Sequence, residues 1–469
     1  MTTPFPPNLF LSGYFAPMGM ECDAPDLIVD GEIPKDLNGV YFRNGPDPLY
    51  PPREGEEYHW FHGDGMIQRF EFLDGRVSWR NRWVRTRKYE LERAAGESLF
   101  GVMGNPFSNH PSVATEPYNT ANTSIVYHGN KLLALMEGTN AVELDPRSLA
   151  TLGDFNYSGA IQGPITAHPK IDPHSGEMVF FGSQAGGPGS PDIGYYIADR
   201  SGNLTHQQVL AGPFPSMIHD FCVTANYSII PVFPIVFSIE RAMERKIPMV
   251  WDPDRGTHFA VVPRYGKPED VRWFDMDARF MFHMMNAYED GDKLVMDVTA
   301  SNATLFGPKP DGSLASASDG LNPHLRRWEI DLAANGSGVK ETILDDMTCE
   351  FPRTDDRYAT LPYRHGFAGG NSQSGVLTFG ELVHYDMQSG QRKLYQGNGQ
   401  YLFGEPVFAP RQGSSSEGDG YLLSLAYNQK TTLTEFMVFA ALDIDKGPIA
   451  RVMMPTRIPA GFHGSWVEL

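Results

Sequence analysis

Four histidines in this chain stand alone among apolar, strand-like residues: His168 in PITAHPKIDP, His219 in SMIHDFCVT, His283 in FMFHMMNAYEDGD and His463 in GFHGSW. An imidazole in such a setting is either a hydrogen-bonded core residue or a ligand for a divalent transition metal, which neutral imidazole suits. None of the fourteen histidines forms an HExxH or HxH pattern that would put two nitrogens on one local face. A metal centre here therefore requires single histidines brought together from distant strands. Taken singly, each is more simply the core residue. His463 presses the question hardest, because it lies in PAGFHGSWVEL at the end of the sequence, where chains ordinarily fray. His110, His128 and His174 lie in turns or polar loops and read as exposed side chains.

The elements that must position these residues are strands. TSIVYHGNKLLALME, HPKIDPHSGEMVFFG, MNAYEDGDKLVMDV, LVHYDMQSGQRKLYQ and SEGDGYLLSLAY each pair β-formers around Gly, Asn, Asp or Ser, which supply positive φ and local side-chain bonding in hairpin turns. Such units run from about residue 120 to the end. The best helical segment is SIERAMERKIP, stopped by Pro248. GPKPDGSLASASDGLNP at 307–323 reads as a surface loop, since hairpins continue on both sides of it. No Pro/Ser-rich linker divides the chain, so residues 1–469 are expected to form one large antiparallel domain. Many hairpins without strong repeats suit an all-β propeller with degenerate blades. In such a ring the chain ends complete the last blade, and that would anchor His463.

Composition narrows the partners. A formal charge of -19 argues against nonspecific attraction to nucleic acid or anionic lipid, because phosphate binding needs a concentrated basic surface. Cys22, Cys222 and Cys349 are far apart and form no CxxC, which argues against a disulfide framework and fits a reduced cytoplasm. MTTPFPPNLF lacks the basic and apolar regions of a signal peptide. YSIIPVFPIVFSI is too short to span a bilayer and is broken by Pro231 and Pro234; it suits a tunnel lining or a weak membrane contact near a tunnel mouth. No GxSxG elbow supports hydrolase chemistry, and GDGM at 63–66 lacks the Lys-Ser/Thr pair of a phosphate loop.

GEIPKDLNGVYFRNGPDP, HWFHGDGM, AHPKIDP, MIHDF, FHMMNAYEDGD, EFPR, EPVFAPR, EGDGYLL and GFHGSW, in that order, resemble the carotenoid cleavage oxygenase family over nearly the whole chain. The resemblance implies a seven-bladed β-propeller with loops and a few short helices capping one face. It also implies one non-haem Fe(II) per chain, with O2 as cosubstrate. By position the iron ligands are His168, His219, His283 and His463. The outer carboxylates that fix ligand orientation are Glu137 in LALMEG, Glu350 in CEFPR and Glu405 in GEPVFAP. The ligand matching His168 has no such carboxylate. Trp60, Phe61 and Phe282 match the aromatic wall of the family's substrate tunnel, although a packing role is nearly as good a reading of the first two.

One departure bears on substrate. Members that cleave lignostilbenes and isoeugenol-type phenols carry a Tyr in the stretch matching SLFGVMGNP and a Lys just before the first outer Glu. Met103 and Met136 stand there in this sequence, and thioethers make that wall apolar and adaptable. Against this, SIERAMERKIPMVWDPDRGTHFAVVPR resembles the phenylpropanoid branch. The expectation is an Fe(II)-dependent oxygenase splitting a C=C bond of a small, apolar, conjugated substrate into two carbonyl products, with apocarotenoid-like polyenes first and stilbenes or phenylpropenes second. The alternative of another class is a propeller that has lost activity and serves as a binding module.

Overall fold

The computed structural model describes residues 4–53, 58–334, 338–372 and 378–468. Strands dominate among them, and the α-helices are Arg87–Ala95 and Ile239–Met243. The strands form antiparallel sheets that succeed one another along the chain. Local turn chemistry explains why. Ser124–His128 and Lys131–Leu135 pair across Gly129 and Asn130, which hold φ of +56° and +61°, the left-handed pair that a tight two-residue hairpin demands.

Side-chain alternation along each strand packs the sheets on one another. Gly39–Arg43 is buried along its whole length. Val40 and Phe42 pack with Ile125, Leu132 and Val142 of the following sheet, while Tyr41 packs with Val407, Leu423 and Phe436 of the last one. The same sharing recurs onward: Leu133 and Ala141 with Phe180, Val179 and Phe181 with Ile230 and Val262, Ile229 and Phe259 with Met296 and Trp328. Each core side chain of this size contributes about 1.5–3 kcal/mol on burial, so sheets buried on both faces hold one another in place. Lys340–Thr354 is long enough to pair with His324–Asp331 through its first half and His365–Asn371 through its second.

The chain ends interlock two sheets. Gly464–Glu468 pairs with Gly39–Arg43, and Ile28–Gly31 pairs with Ala450–Met453. That double pairing fixes the backbone beside His463.

Two helices differ from expectation. The helix in SIERAMERKIP is one turn and a half, Ile239–Met243, capped by Ser238. A longer helix, Arg87–Ala95, is capped by Thr86 and ended by Gly96 at φ +77°. YSIIPVFPIVFSI is interior through most of its length: Ile229, Ile230, Val232, Phe233 and Ile235 are buried between sheets, Val236 and Phe237 are half-buried, and Ile239 is exposed. No helix among the described residues is long and apolar enough to cross a membrane.

Candidate metal centre

The four histidines arrive from four separate segments. His283 lies inside strand Phe280–Asp290, opposite Thr299, and the register shifts on both sides of it, between Met281 and His283 and between Met284 and Asn286. Such bulges re-aim a side chain out of the regular pleat. His463 immediately precedes Gly464–Glu468; its N–H donates to Thr123 O (3.1 Å) and its carbonyl accepts from Asn44 N (2.9 Å). His168 and His219 are linked through Thr166, whose Oγ1 accepts from His168 N (3.0 Å) and donates to His219 O (3.3 Å).

All four rings are buried and converge. Nε2 of His219 lies 3.0 Å from Nε2 of His168 and 3.2 Å from that of His283, which is 3.1 Å from Nε2 of His463. The other ring nitrogens face outward to carboxylates. His283 Nδ1 meets Glu350 Oε2 at 2.5 Å, His463 Nδ1 meets Glu405 Oε1 at 2.9 Å, and His219 Nδ1 meets Glu137 Oε1. A carboxylate acceptor puts the proton on Nδ1, so the Nε2 lone pairs of these three rings point at one another. Converging lone pairs repel unless a cation lies between them. Two nitrogens about 2.1 Å from one ion lie about 3 Å apart when they subtend a right angle, which matches the observed separations. The residues fit a divalent metal.

The surroundings hold the imidazoles ready to bind. Burial and the neighbouring rings push His168 well below its usual range, and burial pushes His463 down to about 4. For His283 burial pulls down and Glu350 pulls up, with a net upward shift. Glu405 is held down to about 2, because Arg353, His463 and the Gly464 N–H together outweigh its burial. Burial raises Glu137 as well, and His219 overrides it to give a net lowering. Glu350 is braced twice more, by Phe351 N on Oε2 (2.6 Å) and Thr299 Oγ1 on Oε1 (3.0 Å). The strand carrying it is bulged between Glu350 and Arg353, with Phe351 at φ +52°.

Aromatic rings enclose one side. Phe282 lies 5.1 Å from His219 and 5.9 Å from His283, and Phe61 lies 6.5 Å from Phe282. Phe306 joins them, 5.7 Å from Phe61 and 6.3 Å from Phe282, and Phe462 lies 5.3 Å from Phe61. Trp60 is packed behind this wall against Phe15 and Phe462, its Nε1 donating to Ala460 O. Met103 and Met136 are half-buried; Met103 sits at φ +57° with its N–H on His62 Nδ1, and Met136 directly precedes Glu137. Phe306, Phe351, Thr299, Arg353 and His59 escaped sequence reasoning as site residues. Of these Arg353 and Phe351 lie in a quoted motif, EFPR, and His59 opens another, HWFHGDGM, whereas nothing local marks Phe306. His174 is exposed and His110 half-buried, as turns allow, but His128 is buried, its Nε2 against Gly176 O of the neighbouring hairpin at 2.9 Å.

The chain matches the family described as retinal pigment epithelial membrane protein over residues 15–468. It is 37% identical to an isoeugenol monooxygenase of Pseudomonas nitroreducens, with 97% of each chain covered. Its structure superposes on the lignostilbene dioxygenase of Pseudomonas brassicacearum with a TM-score of 0.96, at 34% identity and full coverage of both chains. It superposes on a variant of the Synechocystis apocarotenoid oxygenase with a TM-score of 0.86, at 29% identity and 97% coverage of each.

Proposed function

Because the chain belongs to the retinal pigment epithelial membrane protein family, that of the carotenoid cleavage oxygenases its motifs resemble, we propose that it is an oxygenase that splits a carbon–carbon double bond with O2. The observation that carries this reading is the convergence of four Nε2 atoms with carboxylates behind three of them. His168, His219, His283 and His463 would hold one Fe(II) per chain, and Fe(II) when bound supplies activation of dioxygen for addition across the alkene. One C=C and one O2 give two C=O, so the reaction balances without another oxidant.

The chain's own residues contribute position rather than proton transfer. Glu137, Glu350 and Glu405 keep the three rings in one tautomer and orientation. Phe61, Phe282 and Phe306 shape an apolar space beside His219 and His283, where a flat conjugated substrate is held with one bond next to the centre and water is excluded. No general base is required. The framework is a single domain over residues 1–469. The ring is read as seven blades by dividing the longest sheet at Lys340–Thr354 and leaving the two-stranded sheet of Ile235–Phe237 and Met249–Trp251 outside it, with the short helices and loops capping one face. A cytoplasmic location accords with three free cysteines.

The apolar Met103 and Met136 favour a polyene of apocarotenoid type. A second substrate class, stilbenes and phenylpropenes, is favoured by the closer superposition on the lignostilbene enzyme. The test is mass spectrometry of products after aerobic incubation of iron-loaded protein with apocarotenoids, stilbenes and vinyl phenols. Paired carbonyl products from one class are expected. No cleavage of any member would refute the oxygenase reading and leave a binding module.

A further inference from the structure

His59 opens the turn Trp60–His62 as its N-cap, and its Nδ1 accepts the Phe61 N–H at 3.2 Å. That bond fixes the tautomer: Nδ1 is an acceptor, so the neutral ring carries its proton on Nε2. Burial pushes the imidazole down to about 4, which keeps it neutral near pH 7. Its ring is 4.7 Å from Phe61, 6.2 Å from Phe306 and 5.3 Å from Phe10, edge-on to the first two. Phe61 and Phe306 are the rings that also face Phe282, beside the histidine cluster. His59 therefore borders the aromatic space one ring away from Phe282.

Other polar groups nearby are already engaged. Trp60 Nε1 donates to Ala460 O, and His62 Nδ1 accepts from both Met103 N and Tyr118 Oη. His59 is half-buried, and its Nε2 has no hydrogen-bond partner among the described residues. His59 Nε2 is not among the buried atoms left without a partner, so its N–H is open to solvent and can exchange water for an acceptor atom of a ligand.

We infer that His59 Nε2–H is the anchor for an uncharged oxygen, a hydroxyl, ether or carbonyl, at the end of the conjugated substrate remote from the histidine cluster. The inference rests on the aromatic space being the substrate site. It gives this chain a polar contact where Met103 and Met136 supply none. A donor on a fixed ring selects oxygenated alkenes over hydrocarbons of the same shape and sets how far the substrate enters, hence which double bond lies beside the centre.

Binding separates this subsite from turnover. Two ligand pairs are titrated by tryptophan fluorescence quenching on zinc-loaded protein, which does not turn over. The pairs are trans-4-hydroxystilbene against trans-stilbene, and an apocarotenal against a hydrocarbon polyene of equal length. In at least one pair the wild type should prefer the oxygenated member by roughly threefold to tenfold, as one net neutral hydrogen bond allows. His59→Phe keeps an aromatic ring but neither caps nor donates. His59→Asn keeps the cap, since Asn is among the best N-cap residues, but is too short to reach the ligand. Both variants should bring the ratio to about one while hydrocarbon affinity stays within about twofold. A preference that survives in His59→Asn, or a wild type indifferent in both pairs, overturns the assignment. If the preference depends on His59 but the iron-loaded enzyme cleaves nothing, the oxygenase reading falls and the subsite stands.

Discussion

Glu350→Gln removes one charge from the centre and keeps the outline of the side chain. Glu350 Oε2 accepts from His283 Nδ1 (2.5 Å) and Phe351 N (2.6 Å), and Oε1 accepts from Thr299 Oγ1 (3.0 Å). A glutamine that keeps its oxygen on the His283 side turns its amide toward Thr299. The single Thr299 hydroxyl hydrogen can turn to His283 O, 3.1 Å away, which leaves Oγ1 to accept from the amide. His283 Nδ1–H and Phe351 N–H both keep their acceptor, so the loss at the ligand ring is charge assistance: about 1.5–3 kcal/mol for a bond to a charged acceptor against about 0.5–1.5 for a neutral one. The difference of about 1–1.5 kcal/mol weakens metal binding about fivefold to tenfold. Glu350→Ala is a different perturbation, because it strands the buried His283 Nδ1–H and Phe351 N–H at about 1–3 kcal/mol each, and should cost more than a hundredfold. Iron per chain after dialysis against chelators of graded strength orders the three proteins, with thermal melting to confirm that each is folded. The expected order is wild type, Gln, Ala. Equal retention in all three would mean that Glu350 does not hold a ligand ring, and the tautomer argument would fail with it.

Replacing any one of His168, His219, His283 or His463 by Ala should lower iron well below one per chain and abolish turnover; full occupancy in His283→Ala refutes the ligand set. Met103→Tyr with Met136→Lys should raise kcat/KM for a vinyl phenol relative to an apocarotenoid by roughly tenfold to a hundredfold, the worth of a hydrogen bond to a charged group, and an unchanged ratio would place both methionines away from substrate. The metal-free protein should lose stability as pH falls from about 7 toward 4. Burial holds His59 and His384 down to about 4 in the folded chain, against an ordinary value of 6.5, so below 6.5 the unfolded chain takes up protons that the folded chain does not. Urea midpoints at pH 7 and pH 5 test this: the drop should be smaller in His384→Gln than in wild type, and an equal drop removes His384 from the account.

What could be seen in the sequence was whatever a short segment carries within itself. The hairpin turns were visible because Gly129 and Asn130 advertise positive φ, and the four histidines because each interrupts an apolar run. Contacts made between segments were not visible. His128 sits in a turn, and only the neighbouring hairpin's Gly176 carbonyl makes it a buried residue. The helix Arg87–Ala95 carries no apolar stripe in sequence because part of its inward face is charged: Lys88 and Glu92 are buried together, and Lys88 Nζ reaches Glu92 at 2.7 Å and Asp64 at 2.8 Å. Phe306 lies in a loop with no pattern of its own and joins the aromatic wall only because Phe61 and Phe282 come to meet it. The bulges around His283 leave no mark in composition, since they follow from register against Lys293–Ser301.

His463 shows how site and ring depend on one another. Its N–H is held by Thr123 O, at the start of the second sheet, and its carbonyl by Asn44 N, at the end of a strand of the first. Its Nδ1 is held by Glu405, from the last sheet, whose other oxygen accepts the Gly464 N–H at 2.8 Å. Arg353 ties a further sheet to the same point, donating to Gly464 O at 3.0 Å and pairing with Glu405 at 3.3 Å. The fourth imidazole reaches its position only when these sheets have closed on one another. A ligand set complete in the folded chain and dispersed in the unfolded one makes metal binding part of the folding free energy. Iron loading should therefore stabilise the junction between the first and last sheets, and hydrogen exchange should slow most at the amides of Gly39–Arg43 and Gly464–Glu468, the strands whose pairing sets His463 in place.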